Sequence, residues 1–147
     1  MLKRWLKAID GAFSALADPL LLAGRLVVVP MYLLAGIGKI GNYSATAGTM
    51  ESHGLPGELL PLVILLEFVG GIFLAVGFLT RLTSLALAVF SLAAIFTFVG
   101  APAMDNYLFL AEFAVVGAFL AFMAVGAGGW SVDALVGRAR SSESTRS

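Results

Sequence analysis

The chain has 147 residues, 60% hydrophobic and only 12% charged, with a mean hydropathy of +0.99. A soluble domain carries about a quarter charged residues, so this composition excludes an ordinary water-soluble fold and points to a membrane protein. Net charge is zero, which leaves no basic surface for nucleic acid; with no cysteine and one histidine, His53, the chain alone builds no disulfide, iron–sulfur cluster or Cys/His zinc site.

Residues 1–17 come first. Lys3, Arg4 and Lys7 resemble the positive start of a signal peptide, and Ala15-Leu16-Ala17 resembles a cleavage site. Asp10 and Gly11 interrupt the stretch between them, so cleavage is not expected. Leu2, Trp5, Leu6, Ile9, Phe13 and Leu16 recur at three- and four-residue steps, the pattern of an amphipathic helix. Such a helix lies along a membrane surface with Trp5 at headgroup level, or packs on the end of the bundle.

Spanning the hydrocarbon takes about 20 mainly apolar residues. Four segments qualify within 18–130: 20–41, 57–79, 82–100 and 106–127. Asp18-Pro19 suits a helix start, with Asp18 as cap and Pro19 in the first turn. Pro30 falls mid-span and could kink the first helix. Gly41-Asn42 and Gly54-Leu55-Pro56-Gly57 bracket the longest loop, Thr80-Arg81 is a tight turn, Gly100-Ala101-Pro102 breaks the third span, and Gly126 to Gly129 end the fourth. Residues 131–147 form a polar tail, expected to be partly disordered. No tandem repeat appears beyond two helical hairpins. The expected fold is all-α: a polytopic four-helix membrane bundle with an N-terminal amphipathic interfacial helix.

Lys3, Arg4, Lys7, Arg81, Arg138, Arg140 and Arg146 gather on one side of the spans; Glu51, Glu58 and Asp105 lie on the other, with Lys39 near a span end. The excess of Lys and Arg places both termini in the cytoplasm.

The spans carry four ionisable groups, Arg25, Lys39, Glu67 and Glu112, and the hydroxyl of Tyr32. A charged residue at mid-bilayer costs roughly 2.5–3.5 kcal/mol on insertion scales, and protonation would reduce that for Glu67, about 15 Å below its helix end. Arg25, Tyr32 and Lys39 are spaced by seven, close to two helical turns, so they share one face, which should look into the bundle. Depth suggests that Lys39 meets Glu112, with Glu67 as a further partner it could reach, while Arg25 could reach toward Glu67 or down to cytoplasmic headgroups. These five residues form the candidate polar cluster: a buried ion-pair network that fixes helix register, or the lining of a ligand pocket or proton path. Gly36, Gly38, Gly70, Gly71 and Gly77 read as close-packing positions. His53 reads as a solvated loop residue.

Four stretches in this order resemble the DoxX family of small bacterial membrane proteins. They are GRLVVVPMYLLAGIGKIGN with Arg25, Gly36 and Lys39; the loop from Met50 to Pro56; EFVGGIFLAVGFLTRL with Glu67, Gly70, Gly71, Gly77, Thr80 and Arg81; and GAGGWSVDAL with Gly126, Gly128, Ser131 and Asp133. The resemblance covers roughly residues 20 to 135. It implies a four-helix protein of the bacterial inner membrane, of a family associated with membrane oxidoreductases. It supplies no catalytic set to transfer, and the chain has no catalytic motif of its own. The expected role is therefore an accessory or quinone-contacting subunit of an oxidoreductase system, with electrons entering from a partner subunit. The alternatives are a small-molecule or ion-coupled carrier, which would need a homo-oligomer to make a path, and a purely structural or assembly protein.

Overall fold

The computed structural model describes residues 1–99 and 107–144, and among these every regular element is helical. Helix α1, Leu2–Ala15, buries none of its residues, so it does not pack on the bundle end. Its apolar stripe of Leu2, Trp5, Leu6, Ile9 and Phe13 is fully presented to the surroundings.

Helix α2 follows directly as Ala17–Gly41. It starts earlier than the sequence suggests, and Asp18 sits inside its first turn instead of capping it. Pro30 stays within one continuous helix and is exposed, so its ring points away from the bundle. The loop expected after α2 is largely helical: α3 spans Tyr43–Ser52. Its sequence, YSATAGTMES, is small and polar with no amphipathic stripe, so nothing in its pattern announces a helix.

A single 3₁₀ turn, Gly57–Leu59, leads into α4, Leu60–Val76. Gly77 ends α4 in the left-handed region (φ 68°), the conformation that terminates many helices and suits glycine. Helix α5, Thr80–Ala94, continues into a π turn at Ile95–Val99. Helix α6 covers Tyr107–Val125, and α7 covers Val132–Ser144, within the tail expected to be partly disordered. The expected break at Gly100-Ala101-Pro102, Asp105, the start of the fourth span at Asn106, and Arg146 lie outside the described residues.

The bundle consists of α2, α4, α5 and α6. Helix α2 packs on α4, α4 on α5 and α5 on α6. The rings of Tyr32 and Phe119, 5.5 Å apart, bring α6 back to α2 and close the circuit. Leu74, Leu87 and Phe119 fill the centre and are fully buried. A Cβ on Gly70 would sit 3.0 Å from Leu87, and one on Gly71 3.0 Å from Leu33, so both glycines serve close helix approach.

The distribution of polarity is inverted relative to a soluble protein. Arg25, Glu67, Ser84 and Ser91 are buried, while Leu34, Leu62, Phe96 and Leu120 are exposed on the outside. That surface is stable only against hydrocarbon. Among the described residues, three helical stretches, Ala17–Gly41, Gly57–Val76 and Thr80–Phe98, are long and apolar enough to cross a membrane; the apolar part of α6 is the shorter Phe109–Val125.

Candidate functional site

The five polar residues separate into two groups at opposite ends of the bundle. Arg25 and Lys39 are 14 residues apart on α2, about 21 Å along the axis, so they cannot serve one site.

At the end where α4 turns into α5, Arg25 is completely buried. It pairs with neither Glu67 nor headgroups. Its Nη1 donates to the carbonyls of Leu74 (3.3 Å) and Ala75 (3.2 Å), and its Nη2 to that of Trp130 (2.7 Å). The first two belong to the last turn of α4, whose carbonyls have no partner within the helix. The guanidinium thus caps α4 and ties it to the segment before α7. Gly77 is required beside it, because a Cβ there would collide with Arg25 Nη1.

The same segment completes α5. The Asp133 carboxylate accepts from the N–H groups of Leu79 (2.7 Å) and Thr80 (2.9 Å), while its own N–H donates to Gly77 O (2.9 Å). Leu79 is held in the left-handed region (φ 47°), unusual for a branched residue, and these contacts hold it there. Ser131 caps α7 by accepting from Ala134 N–H (3.2 Å), and donates to Gly128 O (2.6 Å). Asp18, freed from capping duty, accepts from Gly129 N–H (2.5 Å). The GAGGWSVDAL stretch is therefore a structural lock made largely of charge-to-backbone hydrogen bonds.

The other end is different in kind. Lys39 Nζ donates to both carboxylate oxygens of Glu67, at 2.6 and 2.9 Å. The pair is unequally covered: the Lys39 side chain is 26% exposed, that of Glu67 4%. Across the bundle, Tyr32 Oη and Ser91 Oγ lie 2.6 Å apart, and the half-buried Glu112 lines the same space as Ser91. Glu112 feels the charges of both Glu67 and Lys39. Lys39 thus engages Glu67 directly and Glu112 only at longer range.

These groups face a cavity of about 550 Å³ between α2, α3, α4, α5 and α6. Helix α3 contributes Met50, and the π turn contributes Thr97 and Phe98. Turns of this kind re-aim side chains and recur at functional sites. The walls are otherwise apolar, with Met31, Val63 and Phe90 among them. Cavities that hold small molecules have this size and this ratio of apolar wall to few convergent polar groups. His53 lies outside it, exposed, with its ring 5.1 Å from that of Phe98 and Nδ1 2.9 Å from Thr49 O. Among the described residues no group of three or more His, Asp or Glu side chains could hold a metal.

Sequence reasoning missed Ser91. A signal existed: Thr80, Ser84 and Ser91 fall at steps of four and seven on α5, a polar stripe in an apolar helix.

Comparison with known proteins agrees with this architecture. The DoxX family profile matches residues 20–100. The inner membrane protein YqjF of Escherichia coli (strain K12) is 39% identical over 125 residues, which cover 84% of this chain and 96% of that protein. No solved structure matches the chain. With its apolar exterior, its buried polar groups and these matches, the chain is an inner-membrane protein and belongs to the DoxX family.

Proposed function

We propose that this protein is a quinone-contacting accessory subunit of a membrane oxidoreductase. It spans the bilayer four times with both termini cytoplasmic, and α1 rests on the cytoplasmic interface. The observation that carries the reading is the cavity of about 550 Å³, in which Tyr32, Lys39, Glu67, Ser91 and Glu112 converge on an otherwise apolar space. A quinone headgroup needs hydrogen-bond donors for its carbonyl oxygens and apolar walls for its ring. Lys39, Tyr32 and Ser91 supply donors; Met31, Val63, Phe90 and Phe98 supply walls. With no cysteine and one exposed histidine, electrons enter from a partner subunit.

The competing readings fit less well. A carrier needs a path through the bundle, and the fully buried Arg25 plugs the far end. A purely structural charge network would be packed tightly and would not border so large a space.

The test is purification from native membranes in mild detergent, with mass spectrometry of partners and extraction of bound isoprenoid quinone. Wild type is compared with Glu67→Gln and with Ala94→Phe, which projects a ring from the cavity wall. Quinone that co-purifies with wild type and falls in both variants is expected. A homo-oligomer without quinone or redox partner would overturn the reading.

A further inference from the structure

The charges at the cavity do not balance. Lys39 is the one basic residue among its described lining, facing two carboxylates, Glu67 and Glu112. Lys39 is committed to Glu67 through both oxygens. Arg25, the other intramembrane cation, is spent on carbonyls at the opposite end of α2. Residues 100–106, which connect α5 to α6, contain no Lys, Arg or His. Among the described residues, a second full negative charge in this apolar setting has no counter-ion at the cavity.

We propose that Glu112 is a proton-binding site of the cavity, neutral in the resting protein and joined through Ser91 to Tyr32. This goes beyond the quinone reading and stands whether or not a quinone binds. The groups facing Glu112 are Tyr32 and Lys39 from α2, Glu67 from α4 and Ser91 from α5. Helix α3 contributes Thr46, Thr49 and Met50, none of them titratable near neutral pH, and His53 lies outside the lining.

The observed Tyr32–Ser91 hydrogen bond, extended in this proposal to Glu112, gives the proton a consequence. When Glu112 holds it, the carboxyl donates to Ser91 Oγ, Ser91 donates to Tyr32 Oη, and the Tyr32 hydrogen is left free to turn into the cavity. When Glu112 is ionised, the chain reverses: Tyr32 donates to Ser91, and Ser91 donates to the carboxylate. One proton at Glu112 therefore decides whether Tyr32 offers a donor to a ligand. Tyr32 and Ser91 are almost wholly buried, so bulk water does not short-circuit the chain.

The experiment uses the whole protein in liposomes near neutral pH, with dicyclohexylcarbodiimide as an apolar reagent that adds covalently to protonated carboxyls. Peptide mass spectrometry then locates the adduct, and infrared spectroscopy reads the protonated-carboxyl band without any reagent. Expected are an adduct on Glu112 and none on Glu67, and a carboxyl band lost in Glu112→Gln but kept in Glu67→Gln. Lys39→Met should bring Glu67 into the labelled set, since its counter-ion is gone. An adduct on Glu67 without one on Glu112 in wild type overturns the proposal. So does the absence of any protonated-carboxyl band, or a band that survives Glu112→Gln unchanged. Quinone-stripped protein should give the same result, which separates this claim from the quinone reading.

Discussion

Replacing Arg25 by methionine tests the lock. The side chain keeps much of its apolar stem but loses three donated hydrogen bonds. Leu74 O retains a second donor in Gly77 N–H (3.2 Å), whereas Ala75 O and Trp130 O lose the contacts that Arg25 supplies. A buried carbonyl left unsatisfied costs about 1–3 kcal/mol, so two cost about 4 kcal/mol. Burial of the guanidinium itself is relieved in the variant and offsets part of this, leaving a net loss of about 2–3 kcal/mol. For a chain of this size that corresponds to a fall of roughly 5–10 °C in apparent melting temperature. Far-UV circular dichroism in detergent reads it; thiol dyes are useless in a chain without cysteine. Hydrogen exchange should locate the loss first at 77–79 and 126–135. Arg25→Lys should fall between, because one ammonium cannot span the α4 end and Trp130 together. A melting temperature for Arg25→Met within about 2 °C of wild type would refute the assignment of these hydrogen bonds as a stability device.

Asp133→Ala should lower stability by about 1–2 kcal/mol, the usual worth of a lost helix cap, with the loss smaller when Leu79→Gly already relieves the left-handed turn; a double-mutant cycle by thermal melts reads both. Lys39→Met should destabilise by about 2 kcal/mol, less than a fully buried pair because Lys39 is partly exposed, and adding Glu67→Gln should recover most of it. Single cysteines introduced at Ser52 and Ser142 should be labelled from opposite sides of the membrane, with Ser52 external; labelling from the same side would refute the four-span topology. Trp5, in a Trp130→Phe background, should be quenched by probes at shallow depth in the bilayer and not by deep ones, as an interfacial α1 requires.

Hydropathy made the helical class legible because bilayer thickness sets helix length directly. The seven-residue step correctly put Arg25, Tyr32 and Lys39 on one inward face of α2. It could not tell that one face serves two sites, because the partners of Arg25 are carbonyls, and a backbone acceptor leaves no mark in a residue pattern. The pairing of Lys39 with Glu67 over Glu112 was equally hidden, since it depends on how α2 and α4 are rotated about their axes. Asp18 misled for a related reason: its capping chemistry was real, but Gly129, 111 residues away, receives it. Helix α3 went unseen because small polar residues encode no period, and its place is fixed by the contacts it makes with α2 and α4.

The lock also orders events during synthesis. Arg25 enters the bilayer with the first span, but its partner carbonyl on Trp130 is made 105 residues later. At about 5–20 residues per second, the ribosome takes roughly 5–20 s to supply it. Until α4 is made, the guanidinium has none of these acceptors and must lean toward the lipid headgroups or be shielded by the insertion machinery. Leu74 and Ala75, made 49 and 50 residues after Arg25, supply two acceptors first, so a polypeptide released before Trp130 holds this buried charge with its set of partners incomplete.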